Sequence, residues 1–462
     1  MRNDTPCRQD LPAVEGSATL METMLKDIAS STNTSSKVSK RGRPAQVSWQ
    51  FLTMGILWCV LRGWKSQLDL WRLISFFGLS CFAPVPVTDE AIYQRLERSL
   101  ERMQQLCMQV SQWLFDWLAP YEDRSLAPFA KEVYALDESK LDSMKRWLAE
   151  LRDVPKGSTD LLAGRLCGLF DLRRQQWKRL DFLPDPLANC QAHAKEMLDQ
   201  IRGVLLLFDL GYFNFEWLDD LTRQGAYWVS RVRRNSSWIV EHILVQRDGY
   251  AEALIFLGAY HSNQAAYLMR MIRLRYRGQW FTYITNVLDP NLLSGADVVR
   301  LYARRWDIEL AFRLLKDHLN LRFLWSAKDE VISVQIWATV ILAQMLHALQ
   351  IRVAVQAGIE TFDVSLELLL RHLPDFIKQG GDLLSRIQEA AYPLGIIRPS
   401  TRMRVNVPVI GREDIIAPPP DLVWIRPPHY AHKSGSSNRR RRTHAKKNTG
   451  VIDADPLQAR AS

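Results

Sequence analysis

Apolar residues recur along this chain in two rhythms, and the change from one to the other divides it. From Val47 to about Trp117 they fall at helical spacing, broken by the proline-bearing stretch "FAPVPV" at 82–87. Thr88 then stands where an N-cap belongs, ahead of a helix through Ile92, Leu96, Leu100 and Met103. After "LAPYEDRSLAPFA" the texture shortens: "EVYALD" (132–137), "LAGRLCGLFDL" (162–172) and "QWKRLDFL" (176–183) read as strands. Helices are predicted over 189–201 and near 215–223, and between them "VLLLFD" (204–209) has the unbroken apolarity of a buried strand. A strand follows at 226–232. Alternating segments from 234 to 281 predict an all-β insertion, "FTYITNVL" (281–288) a further strand, and Ser294 with Asp297 spells a capping box opening a helix.

This pattern gives a class and a set of boundaries. The class is α/β: a mixed sheet flanked by helices over 126–233 and 282–400, interrupted by the β insertion at 234–281. A helical domain at 47–125 precedes it, after a flexible basic arm at 1–46. The tail, 401–462, contains "APPPDLVWIRPPHY" and "RRRRTHAKK" and reads as basic and largely irregular. No membrane segment is expected. Phe51–Leu61 is too short to span a bilayer, and Val331–Val355 carries Gln335, Gln344, His347, Gln350 and Arg352, as a buried helix can.

Composition adds a partner class. Sixteen tryptophans and 47% hydrophobic residues fit a packed globular protein, and a formal charge of +10 favours a polyanion such as nucleic acid. A merely basic protein fits the charge equally. The six cysteines are scattered with no Cys-x-x-Cys pair, which suggests neither a zinc site nor a disulfide framework and fits a reducing cytoplasm. The charged start "MRNDTPCRQDL" does not read as a signal peptide. His193, His242 and His261 lack metal-ligand spacing.

Candidate chemistry sits on acids. Asp137 and Asp209 each end an apolar strand-like run, where α/β folds place reactive groups, although a turn or capping role is common for such residues. The helix "LYARRWDIELAFRLLKDHLNL" (301–321) places Tyr302, Arg305, Glu309, Arg313 and Lys316 within an arc of roughly 80°, opposite Ala311, Leu314 and Leu315. An ion pair of Glu309 with Arg305 or Arg313 is the simple reading of that face. A basic chain with two strand-end aspartates supports a second one: three carboxylates suited to Mg²⁺ or Mn²⁺, with cationic groups beside them for phosphates.

The run Tyr302-x2-Arg305-x3-Glu309-x6-Lys316 resembles the Tyr-Arg-Glu-Lys signature of bacterial transposases of the insertion-sequence-four family, DDE enzymes with a ribonuclease H-like catalytic fold. "LFDLGYFNFEWL" around Asp209 and "YWVSRVRRN" after it are similar to further blocks of that family. Asp137 matches its first aspartate, with Ser139 two positions on and Glu138 and Asp142 as neighbouring acids. The resemblance covers about 130–325. It implies that Asp137, Asp209 and Glu309 are catalytic and coordinate two divalent ions, while Tyr302, Arg305, Lys316 and, beside them, Arg313 hold DNA phosphates.

The expected activity is then that of a cytoplasmic, nucleoid-associated transposase. It binds the terminal inverted repeats of an insertion sequence through the helical domain, as a dimer on double-stranded DNA. It cleaves at the element ends and joins the 3′-hydroxyls to target DNA. Alternatives are a metal-dependent nuclease on the same fold and an inactive DNA-binding remnant. Weaker signals are "KRGRP" (40–44), which resembles a minor-groove hook or is an ordinary basic linker, and Trp228 and Trp306, which suit base stacking or core packing.

Overall fold

In a computed structural model of the chain, the described residues are 46–430, less 80–81, 143–161, 186, 189, 199, 260–262, 380, 401, 403–406 and 409. Most of the basic arm with "KRGRP", His261 and the "RRRRTHAKK" run lie outside them. The chain divides into two compact units. The first holds residues up to Leu126, Tyr134–Leu198 and Arg305–Arg404; the second holds Ala127–Val133, Asp199–Arg304 and the chain from Val405 onward.

The first unit opens with α1 (Trp49–Leu61), whose N-terminal amide at Phe51 donates to Ser48, and α2 (Gln67–Arg72), which runs into a π-helical turn at Leu73–Phe77. Thr88 caps α3 (Asp89–Glu97) as predicted, accepting from the Ala91 amide. The chain bends at Arg98 and Ser99 before α4 (Leu100–Leu118), so the helix expected to continue through Met103 is two helices. Of these, α1, α3 and α4 pack on α9 (Asp329–Ala357), a 29-residue helix whose apolar residues surround its axis and which is buried along most of its length. It is long and apolar enough to cross a membrane, yet 89% of its apolar window is buried inside the protein. Two of its glutamines reach other elements: Gln344 Nε2 donates to Ser111 Oγ of α4 at 2.9 Å and Gln350 Nε2 to the Val364 carbonyl at 2.7 Å.

The same unit contains an antiparallel meander, β1 (Val133–Asp142), β2 (Leu162–Asp171) and β3 (Gln176–Leu183), followed by α5 (Cys190–Met197). β1 extends five residues beyond the predicted end at Asp137, because Glu138 through Asp142 keep pairing with β2. Later in the chain come α8 (Trp306–Arg313), α10 (Leu366–Gln379) and α11 (Leu383–Ala391).

In the second unit β4 (Leu205–Phe208) and β5 (Tyr227–Arg231) are parallel, with α6 (Phe215–Arg223) between them in the chain. β5 pairs antiparallel with β9 (Gln279–Thr285), which continues into β8 (Met269–Tyr276), β7 (Tyr250–Leu257) and β6 (Trp238–Arg247). The two-residue turn Arg277–Gly278 has positive φ at both positions, the geometry that suits the twist of a tight hairpin. α7 (Gly295–Arg304) begins beside Ser294, whose hydroxyl accepts from the Asp297 amide at 3.1 Å and donates to the Asp297 carboxylate at 2.7 Å.

Residues 411–430 have almost no regular structure but are pinned along the insertion. Gln264 bridges His429, Tyr267 bridges Ile425, and the Arg426 guanidinium donates to the carbonyls of Gly258 and Ala265 at 2.8 and 2.9 Å. Three antiparallel strands, a helix, then a parallel β-α-β pair follow one another in the chain as in the ribonuclease H-like fold; the class is mixed α/β with flanking helices.

Candidate functional site

Asp137 lies in β1 after the buried run Val133–Leu136 and is directly opposite Gly168 of β2. Opposed residues project to the same face of a sheet. Gly168 makes that face accessible: a Cβ there would meet the Trp177 ring at 2.4 Å and the Phe312 ring at 3.1 Å. The Phe312 ring of α8 therefore settles over the glycine and against Trp177, with ring centroids 5.0 Å apart. Glu309, three residues earlier and so on the adjoining helical surface, comes over Asp137.

Between the two acids stands Arg305. Its Nη1 is 3.2 Å from Asp137 Oδ2 and its Nη2 is 2.7 Å from Glu309 Oε1. The arginine side chain is 8% exposed, against 13% for Asp137 and 32% for Glu309, so this is a half-open, charge-assisted bridge. Carboxylates 172 positions apart in the chain thus share one cation. Glu138 points to the other face of β1, as strand alternation requires, and pairs with Arg165 at 2.9 Å.

The helix predicted over 301–321 is interrupted where this bridge forms. α7 ends at Arg304, Arg305 is a turn residue, and α8 gives way at Leu314 to a π-helical turn ending at His318. The wider turn shifts Lys316 from its ideal α-helical azimuth and leaves it half-buried, while Arg313 is exposed. Tyr302, in the second unit, is 8% exposed with its ring 5.3 Å from that of Tyr283. Burial pushes the Tyr283 phenol up, with Arg231 opposing, so it stays a neutral donor.

Asp209 follows β4 in the second unit and caps a 3₁₀ turn, Leu210–Tyr212, accepting from the Gly211 amide at 2.7 Å. A Cβ at position 211 would lie 2.8 Å from Asp209 Oδ1, which explains the glycine in "FDLGY". Arg233 Nη2, beyond β5, donates to the Leu210 carbonyl at 2.8 Å and braces the same turn.

The sequence reading missed Asp307. It is 2% exposed on the core side of α8, where Gln175 Nε2 donates to it at 3.1 Å and Arg402 forms an ion pair with it. The available signal was phase: Asp307 shares the apolar stripe of Ile308, Ala311 and Phe312. Of the two tryptophans singled out, Trp228 is fully buried, with Nε1 donating to Thr222, whereas Trp306 is 52% exposed. His193 pairs with Asp181, and His242 contacts the Ile416 carbonyl.

Among the described residues, no three His, Cys, Asp or Glu side chains are close enough together to hold a metal ion. Asp137 and Glu309 do offer hard oxygen donors already arranged around a positive group, and their chemistry fits Mg²⁺ or Mn²⁺.

Comparison with known proteins gives concordant results. Residues 188–346, which include Asp209 and Glu309 but not Asp137, match the family model for the transposase DDE domain. The chain is 25% identical over 247 residues to "Putative transposase y4zB" of Sinorhizobium fredii, covering 48% of this chain and 68% of that one. It is 21% identical over 176 residues to the transposase InsG for insertion sequence element IS4 of Escherichia coli, covering 35% of this chain and 38% of that one. A solved piggyBac transposase synaptic complex with hairpin DNA superposes over 86% of each chain at 9% identity and a TM-score of 0.39, too slight a likeness to bear on the fold.

Proposed function

Since the chain is a DDE transposase of the insertion-sequence-four type, we propose that it binds the terminal inverted repeats of its element as a dimer, cleaves DNA at the element ends and joins the freed 3′-hydroxyls to target DNA. Asp137, Asp209 and Glu309 are the catalytic acids in this reading and hold two Mg²⁺ or Mn²⁺ ions. The single observation that carries it is the meeting of Asp137 and Glu309 at Arg305, two acids from distant parts of the chain on one half-open face.

The bound ions would supply activation of the attacking oxygen and stabilisation of the leaving one. The chain's own groups hold the DNA. Arg305 offers a planar fork to a phosphate, Lys316 and Arg313 offer further positive charge, and Tyr302 one hydroxyl. In cleavage, a water oxygen bonds to phosphorus as the bond to the 3′-oxygen breaks and that oxygen takes a proton. In joining, the 3′-hydroxyl attacks a target phosphodiester, loses its proton and displaces the target's own 3′-oxygen. Asp307 is a positioning residue, fixing α8 through Gln175 and Arg402.

The test is a cleavage assay on a duplex carrying the element end. Asp137→Asn, Asp209→Asn and Glu309→Gln should each lower cleavage by a factor on the order of 10³ or more while binding of the same duplex persists. A variant that cleaves at near the wild-type rate removes its residue from the assignment.

A further inference from the structure

We propose that Arg305 is an internal counter-ion that a divalent cation must displace to reach Asp137 and Glu309. The inference rests on the reading that these two carboxylates hold metal. The guanidinium contacts both acids at once, with Nη1 on Asp137 at 3.2 Å and Nη2 on Glu309 at 2.7 Å. An ion coordinated by both carboxylates needs the oxygens that face this fork, and a divalent cation beside a guanidinium at that spacing is strongly repelled. Only one of the two charges can occupy the site.

The location of Arg305 supports displacement rather than permanent closure. It is the turn residue between α7 and α8, in αR conformation and outside both helices, so its side chain can reorient without unwinding either. Its neighbour Trp306 is 52% exposed, with the guanidinium 5.5 Å from the ring centroid, and Glu309 is 32% exposed, so the bridge meets solvent on the Glu309 side. By pairing with both, Arg305 neutralises two acids that would otherwise repel each other on a half-open face. Divalent-ion affinity is lowered by the cost of breaking that bridge.

The experiment is Mn²⁺ binding to the full-length protein, followed by the loss of the free-ion electron paramagnetic resonance signal and checked by calorimetry. Arg305→Gln removes the competing charge and should tighten Mn²⁺ binding roughly tenfold or more. Arg305→Lys keeps one charge without the fork, should fold if the glutamine variant does not, and should give an intermediate affinity. Unchanged or weaker Mn²⁺ binding in either folded variant overturns the proposal. Asp137→Asn separates the two levels: if it leaves Mn²⁺ affinity unaltered, the metal-site reading itself has failed, irrespective of Arg305.

Discussion

Two arginine–carboxylate clusters in this molecule have the same chemistry and opposite settings. In the second unit, Arg270 is fully buried and Glu252 is 2% exposed; the pair is closed by the Tyr250 hydroxyl on Glu252 and by the Leu293 carbonyl on Arg270. In the first unit, Arg305 bridges Asp137 and Glu309 on a face that remains partly open. The closed cluster is shut off from solvent, and it ties β7 and β8 to the approach of α7, where a Cβ on Gly295 would collide with Tyr250 and Glu252. The open cluster holds two acids with a replaceable cation. Exposure, more than residue type, separates a structural ion pair from one suited to exchange.

The comparison can be broken first at the closed cluster. Glu252→Ala leaves Arg270 buried without its carboxylate and should cost about 3–5 kcal/mol in urea unfolding. Glu309→Gln, at the half-open bridge, should cost less than about 1 kcal/mol in the same measurement while abolishing cleavage. Equal losses of stability would erase the distinction.

A third buried polar group sharpens the contrast, because among the described residues no salt bridge holds it. His347 of α9 is 3% exposed beside a cavity of about 210 Å³ that Asp307 and Gln350 also line. Burial lowers its pKa to about 4, with Gln350 and Asp307 pulling the other way. The folded value lies below the unfolded value of about 6.5, so on acidification the unfolded chain takes the proton first. The stability from neutral His347 is complete above about pH 6.5 and fades toward pH 4, by about 3 kcal/mol in all. His347→Gln should flatten that part of the stability–pH curve; an unchanged slope assigns it to other groups.

Part of the fold and of the candidate site was legible before any fold was known, for reasons that particular residues make clear. Asp209 ends an apolar run because β4 itself ends there. Asp137 was found by the same signal, but its strand continues: Glu138, Ser139 and Lys140 still pair with β2, and backbone pairing leaves no mark in hydrophobic phase. Arg305 was legible as a cation near Glu309 and illegible as a turn residue, since an even helical rhythm through 301–321 hides the break. The tail escaped for a different reason. Its prolines announce irregular backbone, but the contacts that hold it, His429 on Gln264 and Tyr430 on Asp219, depend on partners more than 150 residues away.

The central claim is that Asp137, Asp209 and Glu309 serve the same divalent ions. The most direct measurement replaces those ions with Fe²⁺ in the full-length protein bound to an element-end duplex. Ascorbate and peroxide then cut the polypeptide wherever the iron sits. The account predicts scission near residues 137, 209 and 309 together, suppressed by excess Mg²⁺. Cuts that omit any one of the three, above all 209, would contradict it.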